Sequence, residues 1–232
     1  MNIRYLKRGD NKATFIASGI DFARANALRR ALMTYVPSMA VERITVYENT
    51  SPLYDEILAH RIGLIPLTTD LKTYNMRTEC KCGGKGCARC ETALILEKSG
   101  PSVVYSGDIK PRDPKIKPVH DRMIIVKLGE GQKIKMEMTA RLGFMTEHAK
   151  YQGVLASCGQ LRGDDEFRFV VESYNNLTIE EIIETAISAL NKRLSELENA
   201  FFGEGKSHKA ASKAKKATKK ATKTKKKKSR KE

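Results

Sequence analysis

Four closely spaced cysteines carry the strongest chemical signal in this sequence of 232 residues. They lie between positions 80 and 90 in the pattern C-x-C-x4-C-x2-C, with three glycines between the two pairs. Structural zinc sites bind one ion through four tetrahedral ligands, often all thiolates. Glycine permits the sharp reversal that would bring two such pairs together. The pattern therefore predicts a structural metal site formed by Cys80, Cys82, Cys87 and Cys90, and it favours one zinc ion over an iron–sulfur cluster.

The surroundings of these thiols leave two alternatives open. Four thiolates around a divalent ion carry a net negative charge, which Lys81, Lys85 and Arg89 are placed to offset. The same cysteines could instead form redox disulfides, or exist as thiols that hold no metal. Cys158 stands apart from the group and is predicted to be a small core residue.

Catalytic motifs are not found. The four histidines are scattered without H-E-x-x-H spacing, and no G-x-S-x-G sequence occurs. Gly205-Lys206-Ser207 resembles the end of a phosphate-binding loop, but Ala200 stands where the first glycine is needed. The sequence therefore predicts no catalytic residues in this chain.

The net charge of +16 is concentrated at the C-terminal end of the sequence. Residues 203–232 contain 14 basic and 2 acidic residues, which leaves 29 basic and 25 acidic residues in the rest. The Lys-rich segment has almost nothing to bury, so we expect it to be disordered. It could contact nucleic acid weakly through phosphates, or it could serve only to solubilise the chain.

No stretch approaches the roughly 20 apolar residues that a membrane-spanning helix needs. The first residues lack the apolar core of a secretory signal, and clustered cysteines do not suit a secreted disulfide framework. These features predict a soluble cytoplasmic protein.

Periodicity and capping signals predict the main elements. A strand is expected at residues 14–17, a helix capped by Asp21 that ends near Tyr35, and a strand at residues 41–47. Residues 49–163 are predicted to contain mainly short strands, including a hairpin of residues 123–128 with residues 134–138. A further strand is expected at residues 167–172.

A long amphipathic helix is predicted after the capping box Thr178-Ile179-Glu180-Glu181. Its apolar stripe is wider than a coiled-coil seam and runs to Phe201. So long a helix exceeds what a small chain covers, so we expect one edge to pack inward and the other to meet a second chain. A wholly intramolecular helix is the alternative.

Several motifs resemble one family. The resemblance lies in Asn26-Ala27-Leu28-Arg29-Arg30-Ala31-Leu32, in the segment from Tyr47 to Leu67, in the cysteine loop, and in the segment from Ala140 to Tyr151. Together they resemble the alpha-like subunits of DNA-directed RNA polymerases, and most closely the archaeal branch of that family.

The resemblance implies an α+β fold in three parts. Residues 1–48 and 165–202 would form a discontinuous dimerisation domain, and residues 49–164 would form an inserted, mainly-β domain with the metal loop. Residues 203–232 would be the disordered tail. A protein of this kind would pair with a smaller alpha-like subunit, subunit L. The pair would then collect subunits N and P and dock the second-largest subunit of a nucleotidyltransferase complex.

The resemblance also suggests roles for individual residues. Those expected in the dimer core are Phe22, Leu28, Leu32, Ile183, Ile187, Leu190 and Leu194, with intrachain packing as the alternative. Those expected to contact a large subunit are Asn26, Arg29, Arg30, Asp55, Glu56, His60 and Arg61, of which the last four could instead fix the insert internally. The competing function is a free-standing zinc protein that binds nucleic acid through its basic tail.

Overall fold

The computed structural model describes residues 1–161 and 165–203. The tail prediction therefore lies outside the described residues except at Gly203, as does the end of the predicted insert at Asp164. The elements are β1 (Asn2–Arg8), β2 (Lys12–Ser18), α1 (Phe22–Thr34), β3 (Ser38–Asn49), α2 (Asp55–Gly63), β4 (Glu91–Ser99), β5 (Ser102–Tyr105), β6 (Lys110–Pro111), β7 (Ile124–Leu128), β8 (Lys133–Gly143), β9 (Val154–Gln160), β10 (Glu166–Ser173) and α3 (Ile179–Phe202). The architecture is thus mixed α and β, with strands predominating.

The chain divides into two compact units, residues 1–187 and 188–232. The first contains all the strands, α1, α2 and the beginning of α3. The described part of the second is the remainder of α3 and Gly203. Within the described ranges, no helix combines the length and apolar character needed to span a membrane.

The first sheet joins the two ends of the first unit. Its four antiparallel strands follow the order β1-β2-β10-β9. In β10 the side chains of Phe167, Phe169 and Val171 are buried and alternate with more exposed positions, as the period-2 pattern predicts. The ring of Phe169 stacks on that of Phe15 in β2 at a centroid distance of 5.0 Å. Strand pairing and aromatic packing therefore hold residues near the beginning of the chain to residues beyond position 165.

The second sheet forms the larger core. Its antiparallel order is β3-β8-β4-β6, and β5 pairs with β7 in a separate two-stranded sheet. Alternate residues of β8, among them Ile134, Met136 and Met138, point into a core that also contains Leu58 and Ile62 of α2. The predicted alternation in this segment is confirmed.

The predicted hairpin is wrong, although both of its strands exist. β8 pairs with β3 along one edge and with β4 along the other, so it has no free edge for β7. β7 pairs with β5 instead. The turn closes through a hydrogen bond from the Gln132 amide to the Gly129 carbonyl at 3.3 Å, after which the two strands enter different sheets.

The two long helices begin where their caps predict. The Asp21 carboxylate accepts a hydrogen bond from the Arg24 amide at 2.8 Å, and α1 ends before Tyr35. The Glu181 carboxylate accepts from the Thr178 amide at 3.1 Å, and the Thr178 hydroxyl accepts from the Glu181 amide at 3.4 Å. α2 lies in the segment that is predicted to contain mainly short strands, and no helix is predicted there.

The strands β3 and β9, which lie near the predicted domain boundaries, belong to different sheets. β3 begins at Ser38, yet it pairs with β8 of the second sheet. β9 begins at Val154 and pairs with β10 of the first sheet. Residues 38–48 therefore lie in the second sheet and residues 154–160 in the first, and the predicted domain boundaries stay a prediction.

A charged cluster centred on Glu42 ties the second sheet to the segment that leads back to the first. The Glu42 carboxylate accepts hydrogen bonds from Tyr151 at 2.7 Å and Lys150 at 2.5 Å, and it pairs with Arg141 at 3.0 Å. The Tyr151 ring is buried beneath the Arg141 and Lys150 cations. Burial alone would raise the pKa of Glu42, but the hydrogen bonds from Lys150, Tyr151 and Arg141 outweigh it and lower the pKa to about 2.

Glu42→Gln should reduce stability at pH 7 and by a smaller amount at pH 3. Because the pKa of Glu42 is lower in the folded chain than in the unfolded chain, its contribution is present above about pH 4.3. That contribution is lost as the pH falls towards the folded value of about 2. We expect a loss of about 1 kcal/mol at pH 7, since the carboxylate is partly exposed. Denaturant unfolding at pH 7 and pH 3 measures it.

The control is Glu97→Gln, which breaks an exposed pair with Lys135 in the same sheet. It should change the free energy of unfolding by less than about 0.5 kcal/mol at either pH. A Glu42→Gln penalty of equal size at pH 7 and pH 3 would contradict the role assigned to the carboxylate.

Candidate metal centre and interaction surfaces

The four clustered cysteines converge on one point. All four Sγ atoms lie within 4.8 Å of one another. The separations are 3.5 Å for Cys80–Cys87, 3.7 Å for Cys82–Cys90 and 3.8 Å for Cys87–Cys90. All four are free thiols rather than disulfides. The group can therefore hold a metal ion, as the spacing in the sequence predicts.

Backbone turns within the loop produce this convergence. The Gly83 amide donates to the Cys80 carbonyl at 3.1 Å, and the Cys90 amide donates to the Cys87 carbonyl at 2.9 Å. Between the two turns, Gly83, Gly84 and Gly86 have positive φ angles of 62°, 79° and 92°. L-residues rarely adopt such angles, so the glycines permit the reversal between the two cysteine pairs.

The thiol environments differ in polarity. Hydrogen bonding from the Cys80 side chain lowers the pKa of Cys82 to about 6. Burial raises the pKa of Cys90 to about 12. The ligands must lose their protons to bind a metal, so binding would release protons from this loop.

Cys158 lies outside the metal group, as predicted. It is half-buried on β9, opposite Phe169 of β10. Burial raises the pKa of its thiol. Cys158 is therefore less deeply buried than the core residue that the sequence predicts.

Two residues that the sequence pattern does not single out contact the metal loop. The Arg77 guanidinium donates to the Gly84 carbonyl at 2.7 Å and pairs with the Glu91 carboxylate at 3.2 Å. Lys81, Lys85 and Arg89, the residues predicted to offset the thiolate charge, are exposed. Arginine next to a glycine-rich cysteine loop is the signal that could have found Arg77.

The residues predicted in the dimer core differ in exposure. Phe22, Ile187 and Leu194 are 70%, 45% and 62% exposed, whereas Leu32 is completely buried within the chain. Leu28, Ile183 and Leu190 are half-buried. Leu32 thus packs within the chain, which is the alternative to a dimer contact that the sequence leaves open for that position.

The inner and outer faces of the start of α3 are distinct. Ile179, Ile182 and Ala186 are buried in the first unit, while Ile183 and Ile187 line an open groove of about 600 Å³. The groove is also lined by Tyr5 and Arg8 of β1, and Arg8 forms an ion pair with Glu180.

The polar residues of α1 are only partly available. The Arg29 guanidinium turns back on its own helix and donates to the Asn26 side-chain oxygen at 2.9 and 3.1 Å. Both residues are half-buried, whereas Arg30 is exposed.

On α2, two of the four predicted contact residues have partners within the chain. The Asp55 carboxylate accepts from Asn49 at 2.6 Å, and Arg61 donates to the Ile124 carbonyl at 2.8 Å. Glu56 and His60 are exposed. Beside them lie three exposed apolar side chains, which are 80% exposed for Tyr54, 48% for Ile57 and 50% for Leu64.

The sequence profile of the RNA polymerase Rpb3/RpoA insert domain matches residues 43–167, which are more than half of the chain. The chain therefore belongs to the RNA polymerase Rpb3/RpoA family.

Individual relatives point to the archaeal branch of this family. The chain is 44% identical over 160 residues to the DNA-directed RNA polymerase subunit Rpo3 of Methanosarcina mazei, covering 68% of this chain and 60% of that protein. For Rpo3 of Archaeoglobus fulgidus the identity is 43% over 152 residues, covering 66% and 58%. For Rpo3 of Pyrococcus horikoshii it is 41% over 152 residues, covering 66% and 56%. The chain thus spans 60% or less of these curated relatives.

Cys82→Ser should abolish metal binding, while Cys158→Ser should leave it intact. Serine at position 82 removes one of four converging ligands, whereas Cys158 is not among them. Elemental analysis of the purified full-length chain should find about one metal ion per wild-type and Cys158→Ser chain. Retention of the full metal content by Cys82→Ser would contradict a four-thiolate site.

Proposed function

We propose that this chain is the alpha-like assembly subunit of an archaeal DNA-dependent RNA polymerase. It contributes to the nucleotidyltransferase complex as a scaffold and supplies no catalytic residue of its own. The identity of 41–44% to three archaeal Rpo3 proteins over about two thirds of the chain is the observation that carries this proposal.

Subunit L is the proposed partner of the first and last helices. The apolar side chains of Phe22, Ile187 and Leu194 are exposed to water in this chain. Burying apolar surface is favourable by about 25 cal/mol per Å², and extended exposed apolar patches mark interaction sites. In the first unit, the half-buried Leu28 and Ile183 are further proposed dimer contacts, and Leu32 supports α1 from within the core. In the second unit, Leu194 and the half-buried Leu190 are the proposed contacts.

The groove beside α3 suits the same partner. Because Tyr5, Ile183 and Ile187 line it, an apolar side chain of a second subunit would find hydrophobic walls there. The Arg8–Glu180 pair, which also lines the groove, is exposed and would contribute more to specificity than to affinity.

The second-largest polymerase subunit is the proposed partner of α2. Tyr54, Ile57 and Leu64 are exposed around this helix, while Leu58 and Ile62 on its other face are buried. Glu56 and His60 add polar contacts at the same surface. Asp55 and Arg61 act on the insert itself, through Asn49 and Ile124.

On α1, the exposed Arg30 is the proposed large-subunit contact, and Asn26 orients Arg29 beside it. Subunits N and P would join after the heterodimer has formed.

One zinc ion is the proposed occupant of the cysteine loop. Four thiolates at about 2.3 Å from one tetrahedral ion lie about 3.8 Å from one another. Three of the six Sγ separations, 3.5, 3.7 and 3.8 Å, match that spacing, and all four atoms lie within 4.8 Å of one another. An iron–sulfur cluster distributes its thiolates over several irons and would hold them further apart. When bound, the ion would be a structural cross-link, since all four ligands come from the protein.

The competing function, a free-standing zinc protein that binds nucleic acid through its tail, is not favoured. It accounts for the cysteines and the charge but not for the similarity to Rpo3 proteins or for the exposed apolar residues of α1 and α3.

Ile187→Glu and Leu194→Glu should each weaken the complex with subunit L by roughly 10- to 100-fold, because each places a charge in an apolar interface. The complex should survive removal of residues 204–232, which contribute none of the proposed contacts. Light scattering after size-exclusion chromatography, followed by titration calorimetry, measures both effects.

The matched control is Ile95→Glu on β4, where the side chain is 49% exposed but lies in the second sheet. Equal weakening by Ile95→Glu would indicate general destabilisation. A wild-type chain that remains monomeric in the presence of subunit L would contradict the scaffold function.

Ile57→Glu should separate the two proposed interactions. The variant should bind subunit L with unchanged affinity, since α2 supplies none of the proposed dimer contacts. Capture of the second-largest subunit by the heterodimer should fall by roughly tenfold or more. Pull-down with purified subunits measures both, and undiminished capture would contradict a docking role for α2.

A further inference from the structure

The segment between the two cysteine pairs is tied to the protein by one arginine and one glutamate. Arg77 precedes the first ligand, and Glu91 follows the last. From one guanidinium, Nε donates to the Gly84 carbonyl at 2.7 Å and NH1 pairs with Glu91 at 3.2 Å. Gly84 lies between the two pairs, so this bridge joins the middle of the loop to the start of β4.

The Glu91 carboxylate occupies space that only glycine leaves free. A Cβ atom at Gly86 would lie 2.6 Å from Glu91 Oε2, well inside contact distance. A Cβ atom at Gly84 would meet nothing within 4 Å. The loop therefore approaches Oε2 of the Glu91 carboxylate closely at Gly86, while Arg77 pairs with Oε1 of the same carboxylate.

The pair is more protected than an ordinary surface ion pair. The side chains of Arg77 and Glu91 are 32% and 19% exposed, compared with 49% and 62% for Lys135 and Glu97. Lower exposure reduces screening by solvent and salt. The Arg77 bridge is thus better suited than an exposed ion pair to fixing the conformation of the cysteine loop.

We propose that Arg77 and Glu91 form a clasp that holds the loop in its metal-binding conformation and thereby slows metal loss. The inference rests on the proposed zinc site and assigns positioning residues to it. Neither side chain is a ligand. They act by fixing Gly84 and Gly86, which set the position of Cys80 and Cys82 relative to Cys87 and Cys90. Residues that orient ligands from outside the coordination sphere typically change metal affinity by 10- to 100-fold.

The clasp needs the planar guanidinium of arginine, which presents two donors in a fixed geometry, as well as its positive charge. Lysine would keep the positive charge near the thiolates, but its single ammonium cannot present two fixed donors to Gly84 and Glu91. Arg77→Lys therefore separates geometry from charge.

The experiment measures zinc release from the full-length chain loaded with Zn²⁺, using excess colorimetric chelator. Arg77→Gln and Glu91→Gln should each raise the release rate about tenfold. The double variant should release no faster than the more affected single variant, because both remove the same interaction. Arg77→Lys should resemble Arg77→Gln. Lys135→Gln and Glu97→Gln should release zinc at the wild-type rate.

A pair of glycine variants tests the close approach. Gly84→Ala and Gly86→Ala both place alanine at a positive φ, 79° and 92°, but only the second displaces the Glu91 carboxylate. Gly86→Ala should therefore release zinc faster than Gly84→Ala. Absorption spectra of Co²⁺-loaded Arg77 and Glu91 variants should keep the wild-type tetrahedral thiolate bands, since the ligands are unchanged.

Three outcomes would overturn the clasp. They are release at the control rate from Arg77→Gln and Glu91→Gln, purely additive effects in the double variant, and full rescue by Arg77→Lys. A wild-type chain that binds no Zn²⁺ would overturn the zinc site and the clasp together. This outcome is distinguishable from failure of the clasp alone, because zinc binding by the wild-type chain is measured before any variant is compared. The scaffold function is tested separately, by subunit binding.

Discussion

The pairing of β2 with β10 is the constraint on which the rest of the first unit depends. It brings Ser18 beside Glu166, 148 positions away, with a side-chain hydrogen bond of 2.9 Å. Closing so long a loop is entropically costly, and the buried contact between Phe15 and Phe169 helps to offset it. Once the pair has formed, β3 to β8 must fold as an insertion between the two strands. Both ends of the first unit, including the start of α3, are then held next to one sheet.

The insertion solves two stability problems in different ways. The second sheet has a continuous apolar core, to which α2 contributes Leu58 and Ile62. The cysteine loop has no such core, because glycines and charged residues occupy most positions between its ligands. Its conformation depends on short backbone turns, on the Arg77 bridge, and on the ion that we propose. The Glu42 cluster plays a comparable polar role where the chain leaves the second sheet for the first.

Local signals predicted most individual elements but not how they pair. The caps of α1 and α3 and the alternation in β8 and β10 follow from residues within a few positions of one another. The hairpin prediction failed because the edges of β8 belong to β3 and β4, which lie far away in sequence. α2 was missed although Leu58 and Ile62 stand four positions apart, with acidic residues at its start and basic residues at its end. The prolines, glycines and short-strand patterns in the sequence around α2 outweighed that weak helical signal.

The sequence alone determined which four cysteines come together and could hold a metal ion, since a loop of eleven residues can bring its own cysteines together wherever it is placed. It also determined the helix starts and the apolar stripe of α3, because capping and periodicity are local. Only the tertiary structure decided which predicted contact residues face water. Leu32 proved buried, Arg29 proved bound to Asn26, and Asp55 and Arg61 proved engaged within the chain. It alone revealed Arg77 and Glu91 as partners across the loop. Exposure and long-range pairing depend on which distant segments pack against a residue, and no local pattern contains that information.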